Sequence, residues 1–86
     1  MRRNFRSTII IQASARKHGI ADPDIEHAVN HAMSIDDRDN GTRLYLGSAR
    51  NAELLEVATI IHSDGAVSAI HAMKMRPKYR RLLPRE

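Results

Sequence analysis

This sequence predicts an α+β domain: a small antiparallel meander sheet of three to five strands, N-terminal helices packed on one face, and a short C-terminal helix. Three observations lead there. Between Ile25 and Met33, apolar residues recur at i, i+3, i+4 and i+7, the spacing of an amphipathic helix. From Ser34 onward the period shortens to that of strands, punctuated by Asn40-Gly41 and Asp64-Gly65 as turns. The 86 residues suffice for one domain, 1–86, which buries only roughly 60–65% of its unfolded surface.

The β-branched run from Thr8 to Gln12 predicts a first strand. Ser14 to His18 reads as a short helical turn, capped by Ser14 and stopped by Gly19. Asp22 is suited to cap the next helix, with Pro23 at its first position. Asp24 and Glu26 sit in the first turn, where the helix dipole favours negative charge. The apolar stripe of that helix is Ile25, Ala28, Val29, Ala32 and Met33.

A strand from Ser34 to Arg38 then pairs, through the Asp39 to Thr42 turn, with Arg43 to Leu46. Gly47 to Asn51 reads as a loop, and Glu53 to His62 as a central strand. After Ser63-Asp64-Gly65, Ala66 to Met75 alternates as the last strand. Pro77 ends it and opens a final helix that anchors itself through Tyr79, Leu82 and Leu83 until Pro84 stops it. The order is β-α-α-β-β-β-β-α, with successive strands as antiparallel neighbours.

Composition narrows the chemistry. Aromatics are confined to Phe5, Tyr45 and Tyr79, so the core is aliphatic. No cysteine is present, which excludes disulfides and thiolate chemistry and fits a reducing compartment. No apolar run approaches a membrane span, and Ile9 to Ile11 is too short for a secretion signal, so a cytoplasmic protein with no membrane partner is expected. The net charge of +4 divides unevenly: residues 1–6 carry +3, residues 7–73 carry −4, and residues 74–86 carry +5. If the two basic ends meet in the fold, they favour a polyanion such as RNA.

The C-terminal concentration of charge is specific. In His71-Ala-Met-Lys-Met-Arg-Pro-Lys-Tyr-Arg-Arg-Leu-Leu83, five of the thirteen residues are Lys or Arg, with apolar residues threaded between them. Strict alternation makes Lys74 and Arg76 project together and His71 face away, unless the strand twists or bulges near Met73. Lys78 and Arg81 follow at i, i+3, with Arg80 nearby. The segment therefore predicts an ordered strand and helix with a basic edge.

Arg16-Lys17-His18-Gly19-Ile20, followed by a capped helix, resembles the RKHG segment near the start of BrnT-type toxins. These belong to the RelE-like ribonuclease toxins of bacterial toxin–antitoxin pairs. The order of elements that follows is also similar: a helix, a hairpin with a basic residue (Arg43) opening its second strand, a long apolar strand, and a last strand running into a basic helix. The resemblance spans roughly residues 14–83. His71 stands where that family has a small hydroxyl residue, and Met73 replaces a base.

The resemblance implies the toxin component of a type II system, a metal-independent endoribonuclease that cleaves mRNA at the ribosome. It also implies a cognate antitoxin as partner, in a toxin–antitoxin heterotetramer. A homodimer joined at a sheet edge is a further assembly to expect, and a non-catalytic module binding nucleic acid or protein is the alternative function.

Such cleavage needs no cofactor. A base takes the ribose 2′-OH proton, an acid protonates the leaving 5′-oxygen, and cations hold the charge on phosphorus. His71, Lys74 and Arg76 are the candidate catalytic residues. Arg43, Lys78, Tyr79, Arg80, Arg81, Lys17 and His18 are candidate RNA contacts. Plainer accounts stand beside each. His71 lies among apolar residues as a packed histidine would, and the cations protect an edge strand. Arg43 suits a structural ion pair, Tyr79 packs, and Lys17 with His18 offset a helix dipole. His27 and His31 are spaced like a helical metal pair, but no cysteine or third histidine accompanies them, so no metal site is expected.

Overall fold

Four strands follow one another through tight turns, and a fifth joins them from the N-terminus. In the computed structural model, which describes residues 9–84, these are β1 (Ile10–Ile11), β2 (Ala32–Asp37), β3 (Thr42–Ser48), β4 (Leu54–Ile61) and β5 (Val67–Lys74). They form one five-stranded sheet in the order β1-β5-β4-β3-β2. The class is α+β, and the elements occur in the predicted order. β2 to β5 make the expected antiparallel meander, whereas β1 runs parallel to β5. The intervening helix carries the chain across the sheet, which is what a parallel pairing requires. Thr8, the cations Arg2, Arg3 and Arg6, and Arg85 and Glu86 lie outside the described residues, and with them the expected meeting of the basic ends.

All three hairpins of the meander close in the same way. In each, a residue's N–H bonds the carbonyl four positions on: Arg38 to Thr42, Ala49 to Glu53, and His62 to Ala66, at 2.8 Å each. The fourth loop residue, Gly41, Ala52 or Gly65, takes a positive φ and donates back to the first. The residue before it, Asn40, Asn51 or Asp64, accepts a backbone N–H two positions on through its side-chain oxygen. The Asn40-Gly41 turn is thus a three-residue loop with a left-handed residue, not a two-residue turn. β3 extends through Gly47 and Ser48, so the predicted loop begins at Ala49.

The helix α1 (Asp22–Asn30) starts one residue earlier and ends sooner than its periodicity suggests. Ala21 occupies the N-cap and has no side-chain acceptor to offer, while the Asp22 carboxylate pairs with Arg16 at 2.8 Å. His31 leaves helical geometry, and Ala32 and Met33 enter β2. Pairing with β3 satisfies a strand's backbone groups, and this tertiary gain overrides the helical spacing of two residues. The other two helical segments, Ala13–Arg16 and Pro77–Leu82, are 3₁₀ helices.

Both faces of the sheet are covered. On one, Ile25 and Ala28 of α1 join Tyr45, Leu55, Val57, Ala69 and Ala72 in the main core. Gly47 lets the helix approach, since a Cβ there would overlap the Ala28 carbonyl. On the other, Tyr79 of the C-terminal 3₁₀ helix packs on Leu44 and Leu46, with Ala58, Met75, Leu82 and Leu83 around it. The predicted anchors of that helix are therefore the observed ones. No helix among the described residues is long and apolar enough to cross a membrane.

Candidate active site

An open cleft of about 500 Å³ lies on the second face. Its floor is Leu44 and Ala58, and around it stand Arg38, Asp39, Asn40, Thr42, Glu56, His71, Arg76 and Tyr79. His71 reaches it through a bulge. Ala58 pairs with His71 and Thr59 with Ala69, which leaves Ile70 without a partner. One extra residue reverses the side-chain phase of β5. Ala69 stays in the main core and His71 turns to the opposite face. The bulge that would bring His71 round thus exists, three residues before the Met73 position where it was expected.

Glu56 organises the cleft. It sits in the middle of β4, its side chain about 1% exposed, and faces the cleft because Leu55 and Val57 take the main core. A buried carboxylate is costly unless bonded. Arg76 supplies its backbone N–H and Nε to Oε2, each at 3.0 Å, and Nη2 to Oε1 at 2.7 Å. His71 Nε2 lies 3.0 Å from Oε1. Burial alone would push the Glu56 carboxyl up; the Arg76 donors and the His71 contact outweigh it and hold the group below its ordinary range. Glu56 is therefore ionised near neutral pH and only accepts, so His71 Nε2–H donates to it. Nδ1 is left as the ring nitrogen able to take up a proton.

The remaining candidates divide. Tyr79 is buried, with its hydroxyl 3.4 Å from Arg38 Nη2 and the cations Arg38, Arg76 and Lys78 at 5.5, 5.7 and 5.1 Å from its ring centre. His18 meets the His71 ring edge-on at 5.7 Å, carried there by the N-terminal 3₁₀ helix, whose Ser14 bonds the Ile70 carbonyl of the bulge at 2.6 Å. Lys17 is exposed at the end of that helix. Lys74 does not join His71 and Arg76. It pairs opposite Leu55 on the α1 face, 71% exposed, and bonds Glu53 at 3.2 Å. The expected common projection of Lys74 and Arg76 is corrected accordingly: the chain leaves the strand after Lys74, and Arg76 swings to Glu56.

Arg43 also stays outside the cleft, clamped to Asp37 at 2.6 Å by a pair that raises its pKa. Ion pairs occupy Arg16, Arg38, Arg43, Arg50, Lys74 and Arg76. Lys78, Arg80 and Arg81 have no such partner among the described residues. With Pro77, Leu83 and Pro84 they line a second groove of about 710 Å³. On α1, His27 Nδ1 donates to the Ser48 carbonyl at 2.7 Å, and no group of three or more His, Cys, Asp or Glu among the described residues could hold a metal.

Glu56 and Arg38 escaped the sequence reading as cleft residues, as did Asp39, Asn40 and Thr42, which it placed only in a turn. A lone carboxylate inside Leu54-Leu55-Glu56-Val57-Ala58-Thr59-Ile60-Ile61 was a legible signal. Nothing local marks Arg38, which becomes a cleft residue only through the fold. No protein-family model, no curated protein and no solved structure matches this chain.

Proposed function

We propose that this chain is a metal-independent endoribonuclease, the toxin of a bacterial toxin–antitoxin pair, acting in the cytoplasm on mRNA at the ribosome and neutralised by a cognate antitoxin. The toxin, ribosome and antitoxin parts rest on the RKHG resemblance. The chemistry rests on one observation: His71 and Arg76 are held on the same buried carboxylate, facing a cleft shared with Arg38 and Tyr79.

In this reading His71 Nδ1 takes the 2′-OH proton, and Glu56 stabilises the imidazolium through Nε2–H. The 2′-oxygen attacks the adjacent phosphorus and the bond to the 5′-oxygen breaks, giving a 2′,3′-cyclic phosphate. Tyr79, whose oxygen accepts from Arg38, keeps its own proton and gives it to the leaving 5′-oxygen. Solvent carries the proton from His71 back to Tyr79. The N–H groups of Arg76 not spent on Glu56, with Arg38, face the charge that develops on phosphorus. Lys78, Arg80 and Arg81 guide the flanking backbone.

The test is purified wild-type protein on a single-stranded RNA oligonucleotide beside His71→Gln and Arg76→Ala, with the product ends identified. Cyclic phosphate ends from wild type only are expected. A wild type that cuts no RNA, free or on ribosomes, ends the proposal.

A non-catalytic binding module is favoured by a different observation, the cations along the second groove that have no ion-pair partner among the described residues. A grip on phosphate needs no acid–base group, so in that case RNA binding persists unchanged in His71→Gln and no cleavage occurs.

A further inference from the structure

We propose that the Arg38–Thr42 turn forms a nucleobase subsite at one end of the cleft, in which Asp39 selects guanine. This rests on the reading of the cleft as an RNA-cleaving site. Three observations carry it.

The first is that the turn closes without the Asp39 side chain. The equivalent position of the other two loops holds Arg50 and Ser63, and those loops close through the same backbone and side-chain bonds. Asp39 is exposed and makes no ion pair or side-chain hydrogen bond among the described residues, whereas Glu56, the other cleft carboxylate, is fully engaged. Of the three loops, only this one lines the cleft.

The second is chemical. Asp39 offers two acceptor oxygens and no donor. Guanine presents two adjacent donors on its pairing edge, N1–H and N2–H₂. Adenine and cytosine each present a donor beside an acceptor, and uracil one donor between two acceptors. Only guanine meets a carboxylate with two parallel bonds. Beside Asp39, the Asn40 amide is oriented by the turn: Thr42 donates its N–H at 3.2 Å and its hydroxyl at 2.7 Å, so the accepting atom is oxygen. Asn40 Nδ2 is thereby left to donate, and the acceptor next to N1–H in guanine is O6.

The third is position. Leu44, Ala58 and His71 are paired across β3, β4 and β5, which sets Leu44 two strand spacings, roughly 10 Å, from His71. Thr42 and the turn lie beyond Leu44 along β3. A base at the turn therefore stands away from a phosphate at His71 and Arg76, with the ribose between them. A negative charge at the turn also repels phosphate from that end.

The experiment titrates the full chain with the 3′-monophosphates of guanosine, inosine, adenosine, cytidine and uridine, followed by calorimetry. Guanosine should bind about tenfold or more tightly than adenosine, cytidine or uridine, within the range for one bidentate base contact. Inosine, which lacks N2, should lose most of that advantage. Asp39→Asn should bring guanosine down to the level of adenosine and leave adenosine unchanged, with an unaltered melting curve. Equal binding of all five nucleotides, or a guanosine preference that survives Asp39→Asn, overturns the subsite. RNA cleavage whose base preference is the same in wild type and Asp39→Asn also overturns it, while leaving the nuclease standing. Selective guanosine binding without any cleavage supports the subsite and removes the nuclease.

Discussion

Arg76 gives Glu56 three hydrogen bonds, one from the backbone at the end of the last strand and two from its guanidinium. The buried carboxylate thus fixes both the direction in which the chain leaves the sheet and the cation that stands over the cleft. Glu56→Gln should cost about 2–3 kcal/mol, below the loss at a fully buried pair because Arg76 is 44% exposed. Urea unfolding of the two proteins measures it. A cost near zero would mean that Arg76 is placed by the 3₁₀ helix alone.

The same carboxylate sets an acid limit. Its pKa is lowered in the fold, so the unfolded chain binds the proton first. The associated stability is fully present above the unfolded value of about 4.3, and it is lost as pH falls through the folded one. Asp22, Asp24 and Asp37, lowered by Arg16, Arg50 and Arg43, act in the same direction at the exposed surface. Melting temperature should therefore fall below about pH 4, and the fall should be shallower in Glu56→Gln. An identical acid limb in both proteins refutes the assignment to Glu56.

Deleting Ile70 removes the bulge and returns β5 to strict alternation. Ala69 and His71 then become neighbours, so alternation by itself keeps Ala69 opposite Thr59 in the main core and His71 opposite Ala58 on the cleft face, in reach of Glu56. RNA cleavage should survive the deletion and be lost in His71→Gln, where acid–base catalysis worth roughly 10²–10⁴ in rate is removed. The two variants differ in folding: the deletion should lower stability, and His71→Gln should leave the sheet intact by circular dichroism. Loss of cleavage in a folded deletion variant would show that the bulge does more than set the face of His71.

Ala52 holds a positive φ of 74° in a loop whose two counterparts use Gly41 and Gly65 there. For a residue with a Cβ this conformation costs roughly 1–2 kcal/mol, part of which a glycine gives back through its freer unfolded chain. Ala52→Gly should raise stability by up to about 1 kcal/mol, and Gly47→Ala should lower it by about 1–3 kcal/mol by driving into the Ala28 carbonyl. Thermal melts decide both signs.

Arg80 and Arg81 should account for much of the salt dependence of RNA binding. If each meets one phosphate, replacing either with alanine lowers the slope of log affinity against log salt by about 0.7–0.9. Lys74→Ala, whose partner is Glu53 on the other face, should leave the slope unchanged. Equal effects at all three positions would place the backbone elsewhere.

Turn residues, proline positions and apolar periods are short-range properties, and they made the order of elements, the hairpins and the anchors Tyr79, Leu82 and Leu83 readable along the chain. The cleft was readable only in part. His71 and Arg76 stood out as an acid–base group and a cation in one basic segment, and the lone Glu56 in an apolar strand could have been noticed. Their convergence depends on Ile70 lacking a partner, on β4 lying between β3 and β5, and on a turn from the far side of β3 bringing Arg38 to Tyr79. Each of these is a pairing between residues distant in sequence, which local pattern does not encode. Whether Lys74 or Glu56 belonged to the cleft was therefore settled by strand register and by the energetic need of a buried carboxylate for donors, not by spacing along the chain.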